Sequence, residues 1–304
     1  MASNDKVKRD YGSLLPKKGW PKRNYHYLRH RVLPGMIKKP DGVDGLEAEE
    51  SPTCGGVKLT WTGHAGFLIQ FEKQSVIIDP NFAQWHGFVK RQRRTGLRLD
   101  QLPTVDWVLV SHAHYDHMHK KALKRIEADR GIIVPRGSGG LVGKLGFPEV
   151  IEMKVWDSLA MGDIEIMHTP SEHWGARFIH DTHRDYGGYC LSSGGKTVFH
   201  CGDSAYFDQF EEIGKRATGG IDVALMPIGA YGAPSGRNVH MNPEEALQSY
   251  LELGAKRFIP MHYGTFPLGT EPMEEPLERL LLEADRLGVL DQIVVMDEGV
   301  SVVL

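Results

Sequence analysis

The sequence predicts a layered α/β fold, with sheets inside and helices outside. Short β-type runs bounded by Gly, Pro or Asn alternate with amphipathic helical segments, in two loosely similar halves. The 304 residues are 41% hydrophobic and 25% charged, which suits one large domain or two small ones with a substantial core. Because sheets and helices each bury an apolar face, this order of elements favours helices packed on the outer faces of sheets.

The first half of the folded region is predicted to be mostly β. A helix is expected between two of its strands, from Met118 to about Asp129, because Leu123 and Ile126 fall on one side and basic residues on the other. The predicted strands cover residues 57–69, 75–79, 107–110 and 131–134.

The second half repeats this pattern and adds two well-marked helices. The first, over residues 242–253, opens with Asn242, Pro243 and two glutamates, a favourable N-cap, N1 proline and acidic first turn. The second, over 276–287, is amphipathic with its charges on the outer side. The predicted strands cover residues 164–169, 188–191, 197–201 and 223–227.

Residues 1–56 are predicted to form a basic N-terminal arm, separate from a domain over 57–304. Residues 1–40 carry a net charge of +9, against −12 for the remainder. Several prolines and the lack of a sustained period predict an irregular arm, packed on the domain or partly flexible. Contact of the arm with an anionic membrane is an alternative, whereas nucleic acid is not expected as a partner because the body is acidic.

A second basic segment lies inside the domain, between two predicted strands. It is expected to be a solvated surface, and the alternative is a rim that attracts an anionic substrate. Its basic residues are Lys90, Arg91, Arg93 and Arg94.

Fifteen histidines stand against three cysteines, so a metal site in this chain should use imidazole and carboxylate ligands. Cys54, Cys190 and Cys201 form no CxxC pair, which argues against a disulfide framework or a zinc ribbon.

The sequence contains no apolar run of the roughly 18 to 20 residues that span a bilayer, and no secretory signal. A cytoplasmic location is therefore expected, with peripheral membrane contact as the alternative.

The strongest chemical motif follows the predicted strand at 107–110. His112, His114, Asp116 and His117 place four metal-ligating side chains within six residues. At the turn after a strand, the first two can reach one ion while the last two reach a second. Two neighbouring metal ions are therefore predicted at this turn.

This His-x-His-x-Asp-His run resembles the signature of the metallo-β-lactamase superfamily. That resemblance implies a four-layer αββα sandwich with a one- or two-metal site at the sheet edges. It also implies that His173 completes the first site with His112 and His114. Similarly, His262 would complete the second site with Asp116 and His117, and Asp203 would bridge both ions.

Further runs are similar to the branch of N-acyl-phosphatidylethanolamine-hydrolysing phospholipases D. The resemblance implies a phosphodiesterase in which Asp116, Asp203 and His240 are catalytic. His240 would contact the substrate, or alternatively structure the helix that follows it. His64 is expected to be a hydrogen-bond partner of a ligand rather than a ligand. The runs are Trp61-Thr62-Gly63-His64-Ala65, Pro227-Ile228-Gly229-Ala230-Tyr231, His240 to Ala246, and His262-Tyr263-Gly264-Thr265-Phe266.

The implied reaction is hydrolysis of phospholipids like N-acyl-phosphatidylethanolamine by a metal-bridging hydroxide. Two zinc ions per chain are expected, and iron or manganese suit the same ligand types. One alternative is a lactone, β-lactam or other ester or amide hydrolase with the same two-metal site. Others are a di-iron redox protein and a non-catalytic metal-binding scaffold. A small-molecule substrate and a homo-oligomer both stay open.

Overall fold

Two β-sheets packed face to face form the centre of the molecule, in a computed structural model of the chain. The structure describes residues 20–48, 50–52, 55–177, 183–232 and 234–304. Among these residues, one sheet has seven strands and the other has six. Helices pack on the outer face of each sheet, so the predicted four-layer αββα sandwich is confirmed.

The strands account for both main sheets and two small ribbons. In chain order they are β1 (Asp44–Leu46), β2 (Lys58–Gly63), β3 (Gly66–Gln70), β4 (Ser75–Ile78), β5 (Trp85–His86), β6 (Val89–Lys90), β7 (Gly96–Leu97), β8 (Val105–Leu109), β9 (Ala128–Pro135), β10 (Val150–Met153), β11 (Ser158–Met161), β12 (Ile164–Thr169), β13 (Gly188–Ser193), β14 (Lys196–His200), β15 (Val223–Pro227), β16 (Arg257–Met261) and β17 (Ser301–Val303). The first sheet has the order β10-β9-β8-β4-β3-β2-β17 and the second β11-β12-β13-β14-β15-β16. β1 pairs with β7, and β5 pairs with β6 in a hairpin.

The α-helices are α1 (Trp20–Tyr27), α2 (Leu33–Ile37), α3 (Lys120–Leu123), α4 (Gly139–Val142), α5 (Phe210–Arg216), α6 (Pro243–Leu253) and α7 (Glu275–Leu287). A π-helical turn, Leu28–Val32, joins α1 to α2, and short 3-10 turns cover Leu99–Gln101 and Leu290–Gln292. None of the described helices combines the length and apolar character that crossing a bilayer requires.

Alternating side chains of the first sheet face two different cores, as the two-residue period of a strand requires. Phe67 of β3 and Ile78 of β4 lie between the two sheets. Their neighbours Leu68 and Ile77 pack on the other face, in a cluster that includes Leu123 of α3. The first sheet is therefore covered on both faces, which explains why its central strands are apolar throughout.

The helix predicted over residues 118–129 is much shorter than expected. Only Lys120–Leu123 is α-helical, and the chain enters β9 at Ala128. β9 runs parallel to both β8 and β10, so it lies inside the sheet and buries residues 131–135. The prediction was wrong because strand pairing on both sides outweighs the helical period of the preceding charged residues.

Residues 20–37 of the N-terminal segment are helical, which corrects the prediction of an irregular arm for this part of the chain. Pro21 lies in the first turn of α1, where a missing N–H costs no helical hydrogen bond. Pro34 directly follows the π-helical turn, in which Leu33 N donates to Leu28 O. Tyr27 Oη donates a hydrogen bond to Pro267 O (2.7 Å). Residues 1–19 of the predicted arm, and Cys54, lie outside the described residues.

The basic segment at residues 90–94 is also less solvated than predicted. Arg91 is fully buried and donates from Nε to Ala83 O (2.8 Å), and its guanidinium carbon lies 4.8 Å from the ring centre of Phe266. Arg91 therefore holds the loop before β5 against the domain, while Arg94 is exposed.

The helix predicted over 242–253 is confirmed as α6 with a complete capping box. Asn242 Oδ1 accepts a hydrogen bond from Glu245 N (2.9 Å), and Glu245 Oε2 accepts one from Asn242 N (3.2 Å). The helix predicted over 276–287 is confirmed as α7. The N-cap residue of α7, Glu274, makes no side-chain capping hydrogen bond.

Asn242→Ala is expected to lower the free energy of unfolding by about 1 kcal/mol, because the substitution removes the acceptor for the Glu245 N–H. Urea unfolding followed by circular dichroism measures the change. Glu274→Ala is the matched control, since this exposed N-cap residue makes no capping bond. Equal stability of both variants and the parent protein would contradict the capping role.

Candidate metal centre

The predicted site residues follow strands that end at one edge of the sandwich. β4 and β8 are parallel neighbours in the first sheet, and they precede Asp79 and the turn at 111–119. In the second sheet β12, β14 and β16 run in the same direction and precede His173, Asp203 and His262. The ends of these strands from both sheets therefore meet at one edge of the sandwich, and the turns that follow them carry the predicted site residues.

The carboxylate of Asp203 lies at the centre of this place. Gly202 makes the turn into Asp203 with φ +64°, and a Cβ at Gly202 would lie 2.6 Å from Gly187 O. A glycine is therefore required there by both conformation and space. Asp203 Oδ2 lies within 4.0 Å of ring nitrogens of five histidines: His117 (3.1 Å), His262 (3.1 Å), His173 (3.7 Å), His112 (3.8 Å) and His240 (4.0 Å).

One group of donor atoms consists of three histidines beside Asp203. His112 Nε2 lies 2.8 Å from His114 Nδ1, which lies 3.2 Å from His173 Nε2. The other ring nitrogen of His173, Nδ1, donates to Val239 O (2.8 Å). This bond orients the His173 ring so that Nε2 faces the group.

A second group lies on the other side of Asp203. Asp116 Oδ2 is 3.9 Å from His117 Nε2 and 3.7 Å from His262 Nε2. His262 has a left-handed backbone (φ +59°), held by a hydrogen bond from its N–H to His64 O (2.9 Å). The strained backbone turns the imidazole of His262 toward the two carboxylates.

The two groups fit metal ions. In each group the possible ligand atoms all lie within 4.8 Å of one another. Within the described part of the chain, His114 Nε2, His262 Nε2 and Asp203 Oδ1 are buried without a hydrogen-bond partner. Such buried lone pairs are normally satisfied, and a nitrogen and oxygen donor set suits zinc, manganese or iron. The structure thus brings all seven predicted ligands together. His64, predicted as a hydrogen-bond partner and not as a ligand, also lies in the group of Asp116, His117 and His262, and His240 forms a third group with Asp203 and His262.

The electrostatics of the site couple the carboxylates to the histidines. Burial disfavours the charged form of Asp203, but His117 and His262 outweigh burial and hold its pKa well below the usual value. Burial likewise disfavours protonated His262, but Asp203 and Asp116 raise its pKa to about 9. Burial lowers the pKa of His114 to about 4, with His173 adding to the effect. Near pH 7 the Asp203 carboxylate is therefore charged, and His262 holds a proton that a bound metal ion would displace.

Asp79 is a site residue that the sequence analysis did not identify. It is fully buried after β4, and its Oδ2 lies 2.7 Å from His117 Nδ1. Its Oδ1 accepts a hydrogen bond from Ser111 N (2.7 Å). Asp79 therefore orients His117, with Nε2 facing Asp203, as carboxylates commonly do behind histidine ligands. The signal in the sequence is an aspartate directly after an apolar strand.

His64 lies where the sequence analysis expects it, against a predicted ligand. His64 Nε2 lies 3.1 Å from Asp116 Oδ2, within hydrogen-bond distance. Burial, with His262 nearby, lowers the pKa of His64 to about 3 despite that contact. The neutral imidazole can therefore donate a hydrogen bond that fixes the Asp116 carboxylate.

His240 lies beside Asp203, two residues before the N-cap of α6. It is buried, and its Nδ1 has no hydrogen-bond partner among the described residues. Burial lowers the pKa of His240 well below its usual value, so the ring is neutral near pH 7. Its predicted role at the substrate side is thus compatible with its position, as is a metal-ligating role together with Asp203 and His262.

Exposed aromatic residues mark the open side of the site. Trp174 is 49% exposed, and its ring centre lies 4.5 Å from that of His114. Tyr115 is also exposed, beneath the guanidinium of Arg177 at 4.0 Å. Tyr263, in contrast, is buried and stacks on Trp61, so it packs the domain core.

Comparison with known protein families assigns the chain to a superfamily. Residues 74–263, more than half of the sequence, match the model of the β-lactamase superfamily domain. The chain belongs to the β-lactamase superfamily. It is a metal-dependent hydrolase of that superfamily.

Two relatives of known name are similar to this chain over most of its length. The first, N-acyl-phosphatidylethanolamine-hydrolyzing phospholipase D 1 of Caenorhabditis elegans, is 32% identical over 276 residues, which cover 83% of this chain and 77% of the relative. The second is the mitochondrial N-acyl-phosphatidylethanolamine-hydrolyzing phospholipase D of Saccharomyces cerevisiae. It is 31% identical over 268 residues, covering 83% of this chain but only 56% of the yeast protein.

A solved structure supports the fold. Igni18, a metallo hydrolase from Ignicoccus hospitalis, superposes with a TM-score of 0.64 and is 24% identical. The match covers 82% of this chain and 98% of Igni18. At this identity the likeness concerns the fold alone, which agrees with the αββα sandwich.

Asp79→Asn is expected to weaken metal binding about 10- to 100-fold, because the neutral amide no longer polarises and orients His117. Competition with a chromogenic chelator measures the affinity. Asp106→Asn is the matched control, since Asp106 Oδ2 accepts from Ser75 N (2.9 Å) at the opposite end of β4. Unchanged metal affinity in a folded Asp79→Asn protein would show that this contact does not support the site.

Proposed function

We propose that this protein hydrolyses the phosphodiester of phospholipids like N-acyl-phosphatidylethanolamine, in the manner of a phospholipase D. Water adds to phosphorus, and the N-acylethanolamine leaves as an alcohol while phosphatidic acid remains. Two donor groups sharing the carboxylate of Asp203 support this activity, because paired metal sites suit in-line displacement at phosphorus. The printed names of the nematode and yeast relatives support the same substrate class.

Two divalent ions, with zinc as the proposed metal, would be held by the predicted ligands. His112, His114 and His173 would hold one, Asp116, His117 and His262 the other, and Asp203 would contact both. When bound, such ions lower the pKa of water and polarise the bond to be cleaved.

Three buried residues act around this centre in the proposed reaction. Asp79 holds the ring of His117, and His64 holds the carboxylate of Asp116. His240 donates a hydrogen bond to a phosphoryl oxygen, because its neutral ring has a buried nitrogen without a partner in the described chain. The first two are positioning residues, whereas His240 would touch the substrate.

The proposal includes peripheral contact of the basic N-terminal arm with an anionic membrane, where such a substrate resides. Residues 20–40 contain six Lys and Arg residues and no Asp or Glu. Basic segments of this kind gain electrostatic energy near anionic lipid headgroups.

The metal-loaded protein is expected to release N-acylethanolamine and phosphatidic acid from N-acyl-phosphatidylethanolamine in mixed micelles. Chelator treatment should abolish turnover, and zinc, manganese or iron should be compared for restoring it. Product release is followed by mass spectrometry, with metal content measured on the same sample. Asp203→Asn serves as the inactive control.

A lactone and a chromogenic β-lactam belong in the same panel. Turnover of either, with no cleavage of the phosphodiester by a fully loaded protein, would replace the proposed reaction by ester or amide hydrolysis on the same site. Iron content with an optical charge-transfer band and no hydrolysis would favour the di-iron redox alternative.

His240→Gln is expected to lower kcat/KM for the phosphodiester roughly 10- to 100-fold, the loss typical of one hydrogen bond to a charged oxygen. Metal content should not change. His183→Gln, at an exposed histidine, is the matched control. Loss of a metal equivalent in His240→Gln would make His240 a ligand and would contradict a role limited to the substrate.

A further inference from the structure

An exposed apolar surface lies at the junction of α2 and the β5–β6 hairpin. Its members Leu33, Ile37, Trp85 and Phe88 are 51%, 86%, 44% and 75% exposed, and we call them the platform. Leu33 and Ile37 are four residues apart in α2 and therefore share one side of the helix. Phe88 occupies the turn of the hairpin, after Gly87 with φ +58°.

Direct contacts join the two parts of the platform. Lys90 Nζ of β6 donates to Met36 O (3.2 Å) and Lys38 O (2.7 Å) of the α2 region. The same ammonium lies 5.6 Å from the ring centre of Trp85. Gln92 Nε2 adds a hydrogen bond to the α2 backbone (3.0 Å). The hairpin and α2 therefore present their apolar residues together.

The chain around the platform is cationic. Residues 20–40 carry six Lys and Arg residues, and residues 85–94 carry three besides the buried Arg91, with no Asp or Glu in either range. Lys38 and Lys39 are exposed directly after Ile37, and Lys38 pairs with Asp41 (2.8 Å).

The platform is also close to the candidate metal centre. His86, between Trp85 and Phe88, lies with its ring centre 4.8 Å from that of Phe266. The ring of Phe266 lies 5.3 Å from that of His64, which contacts Asp116 at 3.1 Å. Two side chains, those of Phe266 and His64, therefore separate the hairpin from Asp116, a predicted metal ligand.

We propose that the platform docks this protein on an anionic phospholipid bilayer, with Ile37 and Phe88 inserted among the lipids. Large exposed apolar side chains surrounded by cations fit the interface of such a bilayer, where apolar burial and attraction to lipid phosphates add. Docking in this orientation would place the β5–β6 hairpin, which lies two side chains from Asp116, at the lipid surface. This inference names the surface that makes the membrane contact of the proposed function. The reason for docking rests on that proposed function.

Co-sedimentation of the full-length, metal-loaded protein with vesicles tests the docking without any turnover. The probes are phosphatidylcholine vesicles with and without phosphatidylglycerol, at low and high salt. Phe88→Ser should reduce partition onto the anionic vesicles at least tenfold, because it removes a large inserted apolar side chain. Leu282→Ser on α7 is the matched control, since Leu282 is 73% exposed away from the platform.

The expected result is binding to anionic vesicles that weakens with salt, is lost in Phe88→Ser and is retained in Leu282→Ser. Circular dichroism and metal content confirm that the variants are folded. Equal binding by Phe88→Ser and the parent, or no binding of the parent at low salt, would overturn the proposal. A platform that binds vesicles in a protein that cleaves no phosphodiester would uphold the docking and refute the proposed reaction.

Discussion

A buried carboxylate, that of Asp203, is the constraint on which the rest of the site depends. Removing a charged group from water costs several kcal/mol unless partners compensate it. The compensating histidines come from both sheets, since His112 and His117 follow β8 while His173 and His262 follow β12 and β16. The position of one sheet against the other therefore decides whether the charge is stabilised. A bound cation would act on the same atoms and would couple metal binding to the packing of the sandwich.

Backbone strain is concentrated at this edge of the sandwich. His64, Asp79 and His262 are non-glycine residues with φ values between +46° and +59°. Such conformations cost of order 1–3 kcal/mol each and persist only when surrounding contacts hold them. Here the contacts are visible, because His262 N donates to His64 O and Ser111 N donates to Asp79. The strain directs side chains toward one point instead of along their strands.

The predicted metal ligands and the surface around them bear on different aspects of function, the reaction type and the choice of substrate. The same metal site on one fold can cleave substrates with many different leaving groups. The metal ligands therefore indicate the type of reaction, but they do not identify the substrate. In the proposed function, the exposed apolar and basic side chains of α2 and the β5–β6 hairpin would determine which surface the protein approaches, while Asp203 and its histidines would hold the metal ions.

Local sequence patterns were sufficient for much of the fold and the candidate site. The His112 to His117 run and the helix start at Asn242 depend on spacing within a few residues, which the sequence displays directly. The αββα sandwich and the ligand set followed through resemblance to a family, and the structure brings those side chains together.

Contacts between distant segments were decided by the tertiary structure alone. Asp79 supports His117 across 38 residues of sequence, and nothing local to Asp79 indicates that partner. α3 is short because β9 pairs on both sides, and α2 lies on the hairpin because Lys90 binds its carbonyls. The sequence by itself determined which residues can bind metal. Only the packing of two sheets decided which residues hold those ligands in place and which apolar surface lies beside them, because both depend on pairings that no local period encodes.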